Sequence, residues 1–526
     1  MEEASLKNIR GGAKKGYAFT LAFVVSLGGF LFGFDASVIS GVIGFITPQF
    51  DLDVIQQGWV VSAPSFAAMF AMLVAGTLSD KLGRRDILKV AALLYIISAV
   101  LSALATSYEM LVLARMLGGM AFGAALILAP LYIGETTPAE MRGRMVSIQQ
   151  LNIVLGFSVS YFSNYYFLDA YQSGDSFTEE NVWRWMLGVE AVPAILYLTF
   201  LFFIPKSPRW LLYHGKHEDA GRILKKLFGS IRAEKEKTDI EQQIKSESKR
   251  ATIGLGFLFK PETRVILIVG LVLGITQQIT GVNAIFFYAT TIFEQSGVGI
   301  NAAFSQAIYV GLINVVFTVL AILFIDKLGR KPLLLIGLMG IAISMGITSY
   351  GFSKATYTVT EATLEFFKDN PEVRDKLITL KGKVFTNDVA FKREINRMIG
   401  KQLFTKHQGD ILFSSISMNP YIVLFGILGF VASFAFSLGP VMWVVFSEIF
   451  PAKIRGGALA LFGFINSLTS ALVQFVFPWE LANLGSATSY LIFSVFAVVG
   501  FLLISKWLPE TKGRSLEELE KELIRS

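Results

Sequence analysis

The chain has 526 residues, 53% of them hydrophobic and only 17% charged, with a mean hydropathy of +0.57. Soluble domains carry about a quarter charged residues, so this depletion excludes an ordinary soluble globule and points to a chain that faces lipid. The net charge of +7 is spread over short basic loops, which is not a nucleic-acid footprint, and the absence of cysteine excludes disulfides and thiol-ligated metals.

Twelve spanning helices are predicted, at roughly 17–46, 58–78, 87–106, 111–134, 145–167, 184–204, 264–290, 303–325, 332–351, 419–447, 456–477 and 488–508. Between spans 2 and 3 stands Asp80-Lys81-Leu82-Gly83-Arg84-Arg85, and 246 residues later Asp326-Lys327-Leu328-Gly329-Arg330-Lys331 stands between spans 8 and 9. Neither string fits in hydrocarbon, and repetition at half-chain spacing implies two homologous six-span halves. Glu135 to Gly143 recurs as Glu448 to Gly456 at an offset of 313, and Pro205 to Arg209 recurs loosely as Pro509 to Gly513. The growth of the offset from 246 to 313 locates about 67 extra residues between spans 9 and 10.

That segment, 352–418, holds eleven Lys/Arg and eight Asp/Glu and no spanning stretch. The predicted organisation is a first bundle over 1–205, a linker over 206–262 and a second bundle over 263–508 that carries the 352–418 insertion. A terminal segment, 509–526, follows. Helices are expected in the linker at His217–Phe228 and Ala233–Lys249, and a capped amphipathic one is expected from Ser515.

Basic residues collect in loops on one side: Lys81, Arg84, Arg85 and Lys89, then Arg142 and Arg144, then Lys327, Arg330 and Lys331, then Lys453 and Arg455. The opposite loops carry Asp51, Asp53, Asp169, Asp175, Glu179 and Glu180. The positive-inside rule therefore makes the repeated string and both termini cytoplasmic. The insertion falls outside, and loops beyond about 60 residues escape the charge rule. No cleavable signal peptide is evident.

With these motifs in place, the chain resembles the sugar porter family of the major facilitator superfamily, in particular its bacterial proton-coupled sugar symporters. The paired strings, the two Glu…Arg-Gly strings, Pro205 to Trp210, Gln277-Gln278-Ile-Thr-Gly281-Val-Asn283 and Pro509-Glu510-Thr511-Lys512-Gly513 carry the resemblance over nearly the whole length. It implies an all-α membrane fold of twelve helices in two pseudo-symmetric six-helix bundles, working by alternating access. Lys206 departs from the family, which usually has Glu there, and so puts in doubt any ion pair that carboxylate would make with cytoplasmic arginines. Ser467 stands where the family commonly has Trp, and Ala435 where facilitative glucose carriers have Glu, so the particular sugar does not carry over.

A sugar needs neutral two-way hydrogen-bonders plus an aromatic over a ring face. Span 7 offers Gln277, Gln278 and Asn283 among apolar residues. Their spacing puts none of them on one stripe with another, but a helix broken near Gly281 would let all three face inward. The resemblance adds Gln150, Asn314, Trp443 and Asn466 as substrate ligands, with Phe34, Phe287, Tyr288 and Phe434 as walls or gates. The competing role for such amides is to glue helices together.

An ionised Asp35 inside span 1 requires a proton or a cationic partner. Arg115 on span 4 is the partner that the resemblance implies, in a pair broken by a proton, and Glu190 in span 6 is a further buried carboxylate. The three histidines, His214, His217 and His407, all fall in predicted loops, so no histidine relay is available. The charges Asp80, Arg84, Arg85, Glu135 and Arg142, repeated as Asp326, Arg330, Glu448 and Arg455, are expected to form a cytoplasmic gate.

The expected function is import of a monosaccharide with a proton across the cell (inner) membrane, by a monomer that needs no cofactor. The alternatives are a facilitative carrier of a sugar or an inositol-like polyol, and a non-transporting sugar receptor. The short tail after span 12 argues against a receptor. No nucleotide loop, metal-ligand cluster or Ser-His-Asp arrangement suggests an enzyme.

Overall fold

Both copies of the repeated string turn on a glycine that holds a left-handed backbone, Gly83 at φ 101° and Gly329 at φ 93°. Each glycine ends one spanning helix and starts the next, so the string is a tight reversal between two long helices. The computed structural model describes residues 15–174, 177–249, 260–450, 455–514 and 518. Among them are twelve helices long and apolar enough to cross a membrane. Spans 1–6 run Gly16–Gln49, Val54–Leu82, Arg84–Ala103, Tyr108–Thr136, Arg142–Gln172 and Val182–Phe203. Spans 7–12 run Arg264–Phe287, Ile300–Leu328, Arg330–Ser353, Pro420–Ile449, Gly457–Asn483 and Ser486–Trp507. The two faces of the molecule are called here the string face and the insertion face.

Three spans are interrupted where the sequence supplies polar or glycine residues. Span 6 breaks between Gly188 and Ala191, around Glu190. Span 7 breaks at Gly281, whose φ of 95° suits glycine and whose close neighbour Phe493 leaves no room for a side chain. Its chain then continues beyond the span as a short helix, Ala289–Gln295. Span 10 breaks at Ser437, between helices Pro420–Phe436 and Leu438–Ile449. Broken helices expose backbone groups, which is tolerable at membrane depth only where protein or a cavity meets them.

The insertion is a folded unit. Strand β1 (Thr356–Thr358) pairs antiparallel with β2 (Val384–Phe385) on one side and β3 (Ile416–Ser417) on the other. Helices Glu361–Phe366, Pro371–Leu377, Asp388–Ile399 and Lys401–Ser415 pack over this sheet. They bury Tyr357, Leu364, Phe367, Leu377, Phe391 and Ile395 in a core of their own.

The linker forms helices at His217–Phe228 and Ser230–Lys249, the latter starting three residues before the expected Ala233, and a further short helix at Pro208–Tyr213 that is not among those expected. Arg232 ties it to Glu140 of the first half at 3.0 Å. Asp175, Lys453 and the helix expected from Ser515 lie outside the described residues, apart from Glu518 of that helix.

Candidate functional site

The span 7 break brings its three amides together, although their sequence spacing alone does not. The Asn283 Nδ2 donates to Gln278 Oε1 at 2.8 Å and to Ser470 Oγ at 2.5 Å. Gln278 Nε2 donates to Gln277 Oε1 at 3.2 Å and to Asn466 Oδ1 at 3.1 Å. Asn466 Nδ2 returns to Gln277 Oε1 at 2.8 Å and to the Gly274 carbonyl at 2.9 Å. Gln277 Nε2 donates to the carbonyl of Leu438, the first residue after the span 10 break, at 3.1 Å. Spans 7, 10 and 11 thus converge on one cluster of neutral amides.

Asn314 of span 8 is buried, and no described hydrogen bond reaches its side chain. Gln150 on span 5 is half-buried, while its neighbour Gln149 is buried with an Oε1 that no described group satisfies. Phe34, Phe287, Tyr288 and Phe434 are all buried, and Tyr288 Oη donates to the Gln474 carbonyl at 3.1 Å. Trp443 is 43% exposed, so its side chain is only partly packed against protein.

Asp35 and Arg115 meet across spans 1 and 4. Arg115 Nη1 lies 3.3 Å from Asp35 Oδ1, with Arg115 only 1% and Asp35 4% exposed. The guanidinium also donates from Nε to the Val60 carbonyl at 3.0 Å. One side chain therefore joins span 4 to spans 1 and 2. Glu190, at the span 6 break, is buried as well.

At the string face each half holds its own charge cluster. Arg84 pairs with Asp80 at 2.8 Å and Glu135 at 3.1 Å, and Arg330 pairs with Asp326 at 3.2 Å and Glu448 at 2.9 Å. Arg85 does not join its cluster. It bonds Asp86 at 3.0 Å and the Ile204 carbonyl at 3.2 Å. Arg142 makes no described ion pair; it lines a cavity of about 840 Å³ with Asp80, Arg84, Glu135 and Trp210. The Arg455 side chain lies outside the described residues.

Lys206 has a physical account. In the second half, Glu510 accepts from the backbone N–H groups of Arg330 and Lys331 at 3.0 and 3.1 Å, capping span 9. In the first half the equivalent position is Lys206, which pairs instead with Asp86 in the first turn of span 3 at 2.8 Å. The acid has moved onto the helix and the base onto the loop, so an ion pair stands in the first half where the second half has a carboxylate cap on backbone N–H groups.

Sequence reasoning missed Ser470, Gln474 and Ser65. Gln474 Nε2 donates to Ser470 Oγ at 2.7 Å, and Ser65 Oγ of span 2 donates to Gln474 Oε1 at 3.0 Å. The signal was present: Asn466, Ser470 and Gln474 recur every four residues, which places them on one helix face.

The two halves meet toward the insertion face. Besides Ser65–Gln474, Tyr161 Oη donates to the Phe286 carbonyl at 2.6 Å, Thr290 bonds the Ser40 carbonyl, and Trp59 packs on Phe475 with ring centroids 5.3 Å apart. The described string-face ion pairs lie within one half, within the linker, or between the first half and the linker.

The profile of the family described as "Sugar (and other) transporter" matches residues 21–364 and 398–523, leaving 365–397 of the insertion unmatched. An arabinose-proton symporter of Bacillus subtilis is 35% identical over 96% of this chain and 95% of its own length. A D-xylose-proton symporter of Escherichia coli is 34% identical over 96% and 95%. Among solved structures, the proton:xylose symporter XylE bound to 6-bromo-6-deoxy-D-glucose covers 97% of this chain and 99% of its own, with a TM-score of 0.70 and 32% identity. Its inward-open conformation gives a TM-score of 0.72 at 32% identity, over 96% and 100%. The twelve spans, the paired halves and these matches lead to one conclusion: the chain is a multi-pass membrane protein that belongs to the sugar (and other) transporter family of the major facilitator superfamily and is not an enzyme.

Proposed function

We propose that the protein imports a monosaccharide together with a proton across the cell membrane, with the string face and both termini cytoplasmic. The observation that carries the coupling is the buried Asp35–Arg115 pair. Two charges removed from water cost several kcal/mol each, roughly, and persist only because each satisfies the other. A proton on Asp35 cancels that attraction while Arg115 keeps its bond to the Val60 carbonyl. Span 1 then keeps only the long bond from Arg115 Nη2 to the Asp35 carbonyl, at 3.5 Å, and its hold on spans 2 and 4 is loosened without stranding the guanidinium. Rearrangement becomes cheap in the protonated carrier, and transport is coupled because sugar binds that form better.

The sugar is held by Gln277, Gln278, Asn283, Asn466, Asn314 and Gln150, which donate and accept alike and so match hydroxyls in either sense. Trp443 supplies a ring face, and Phe34, Phe287, Tyr288 and Phe434 wall the site. The relatives named for arabinose and xylose support a pentose or hexose. The string-face clusters centred on Arg84 and Arg330 belong to the cytoplasmic gate. A single chain contains the whole site, so the protein acts as a monomer.

Uptake of labelled pentoses, hexoses and inositols into proteoliposomes tests this. Wild type is expected to accumulate its sugar above the external level when the outside is acidic. Asp35→Asn is expected to equilibrate sugar without accumulating it. Wild type that never exceeds equilibrium would show the protein to be a facilitative carrier.

A further inference from the structure

The amide cluster is not isolated from the insertion-face seal. From Gln278 an unbroken chain of side-chain hydrogen bonds runs through Asn283, Ser470 and Gln474 to Ser65, which belongs to the other half. Gln474 is 0% and Ser65 7% exposed, so neither has water as an alternative partner while this face is closed. Both ends of the Gln474 amide are used: its NH2 serves Ser470 and its carbonyl serves Ser65. Tyr288, on the continuation of span 7, fixes the backbone of the same residue.

We infer that Ser65 and Gln474 are positioning residues that form a latch between the halves, which couples the state of Asn283 to closure of the insertion face. This rests on the amide cluster being the sugar site. Ser65 and Gln474 lie on spans 2 and 11 of opposite halves, so their bond breaks whenever a solute enters from that face. While the latch is closed, Ser470 is held in place to take the Asn283 amide hydrogen. When it opens, Ser470 moves away with Gln474 and the Asn283 NH2 is released to a solute hydroxyl. The closed face and the spent donor are therefore one state, and the open face and the available donor are the other. Loss of the latch raises the population of the open form, and the apparent affinity for external sugar rises with that population.

The chain has no native cysteine, so introduced pairs report without background. Spin labels at Ile55 and Leu484, exposed residues at the insertion-face ends of spans 2 and 11, measure the opening by pulsed dipolar spectroscopy in nanodiscs. In Ser65→Ala the ratio of open to closed distances is expected to rise by roughly 2- to 12-fold, the equilibrium factor of one buried neutral hydrogen bond. Ser65→Thr, which keeps the hydroxyl, is expected to restore the wild-type distribution. With D-xylose, L-arabinose and D-glucose as probes, Ser65→Ala is expected to bind its sugar more tightly and Asn283→Ala more weakly.

An unchanged distance distribution in a folded Ser65→Ala protein would overturn the latch while leaving the sugar site intact. A shifted distribution together with unaltered binding of all three sugars in Asn283→Ala would overturn the coupling through failure of the sugar site.

Discussion

Arg115 shows how one residue can serve both stability and motion. Its guanidinium is divided between a carboxylate on span 1 and a backbone carbonyl on span 2, and it is almost completely enclosed. Removing one partner of a buried pair strands the other, at a cost of about 3–5 kcal/mol. Arg115→Ala is therefore expected to lower the thermal stability of the purified protein sharply. Asp35→Asn keeps an oxygen acceptor for the guanidinium and is expected to lose much less, which a comparison of melting curves in one detergent would show. At this scale the sequence was informative wherever a charge stood in an apolar run, because such a charge demands a partner. It was silent on neutral residues: serine and glutamine are common helix-interface residues, so Ser65 and Gln474 stood out only once their mutual bond was seen. Arg85 was misjudged for a related reason, since the sequence does not show that Asp86 lies nearer to it than Glu135.

At the scale of elements, the insertion supplies something that span 12 lacks. The N-cap position of that span is Gly485, which has no side chain to cap it. Asp388 of the insertion instead accepts from the Ser486 N–H and from its hydroxyl, both at 3.2 Å, and Ser486 Oγ also lies 2.9 Å from Gln295 Oε1. Loss of a cap costs about 1 kcal/mol, and loss of a buried charged acceptor somewhat more. Asp388→Ala is thus expected to destabilise the protein by about 1–2 kcal/mol and to raise hydrogen exchange in the first turn of span 12, while the first half exchanges as before. The spans themselves were legible as long apolar runs, and the position and size of the insertion followed from repeat offsets. Its internal fold was not legible, because its strands are two or three residues long and too short for alternation to register.

For the molecule as a whole, the insertion touches both halves. It is anchored to the second half through Asp388 and to the first through Lys401, which pairs with Asp51 at 3.0 Å. The same junction gathers carboxylates of three origins: Glu294 beyond span 7, Asp410 of the insertion and, farther off, Glu179 of the first half. Burial pushes the Glu294 carboxyl from 4.5 up to about 7, helped by the charge of Asp410. Burial also raises Asp410, against the pull of His407, and holds His407 itself below its usual range.

A raised carboxyl binds its proton more tightly in the assembled state than in the unfolded one. The assembled state is therefore favoured most below about pH 4.5, and that advantage is lost as the pH rises through about 7. The full shift corresponds to about 3 kcal/mol, and the partial exposure of Glu294 reduces it to roughly 1–2 kcal/mol. Wild type is expected to melt higher at pH 5 than at pH 8, and Glu294→Gln to show a smaller difference between the two.

The short sheet of the insertion also fixes where its chain begins and ends. Thr356 of β1, three residues past the end of span 9, is the register partner of Ser417 of β3, three residues before span 10. Entry and exit are thus neighbouring strands, so the spans would feel little difference between this unit and a tight hairpin. The family profile passes over 365–397, within this unit. A segment joined to its host through two adjacent stems is one that recombination can gain, lose or exchange without re-registering a single membrane helix. The surface of this carrier can therefore diversify independently of the machinery beneath it.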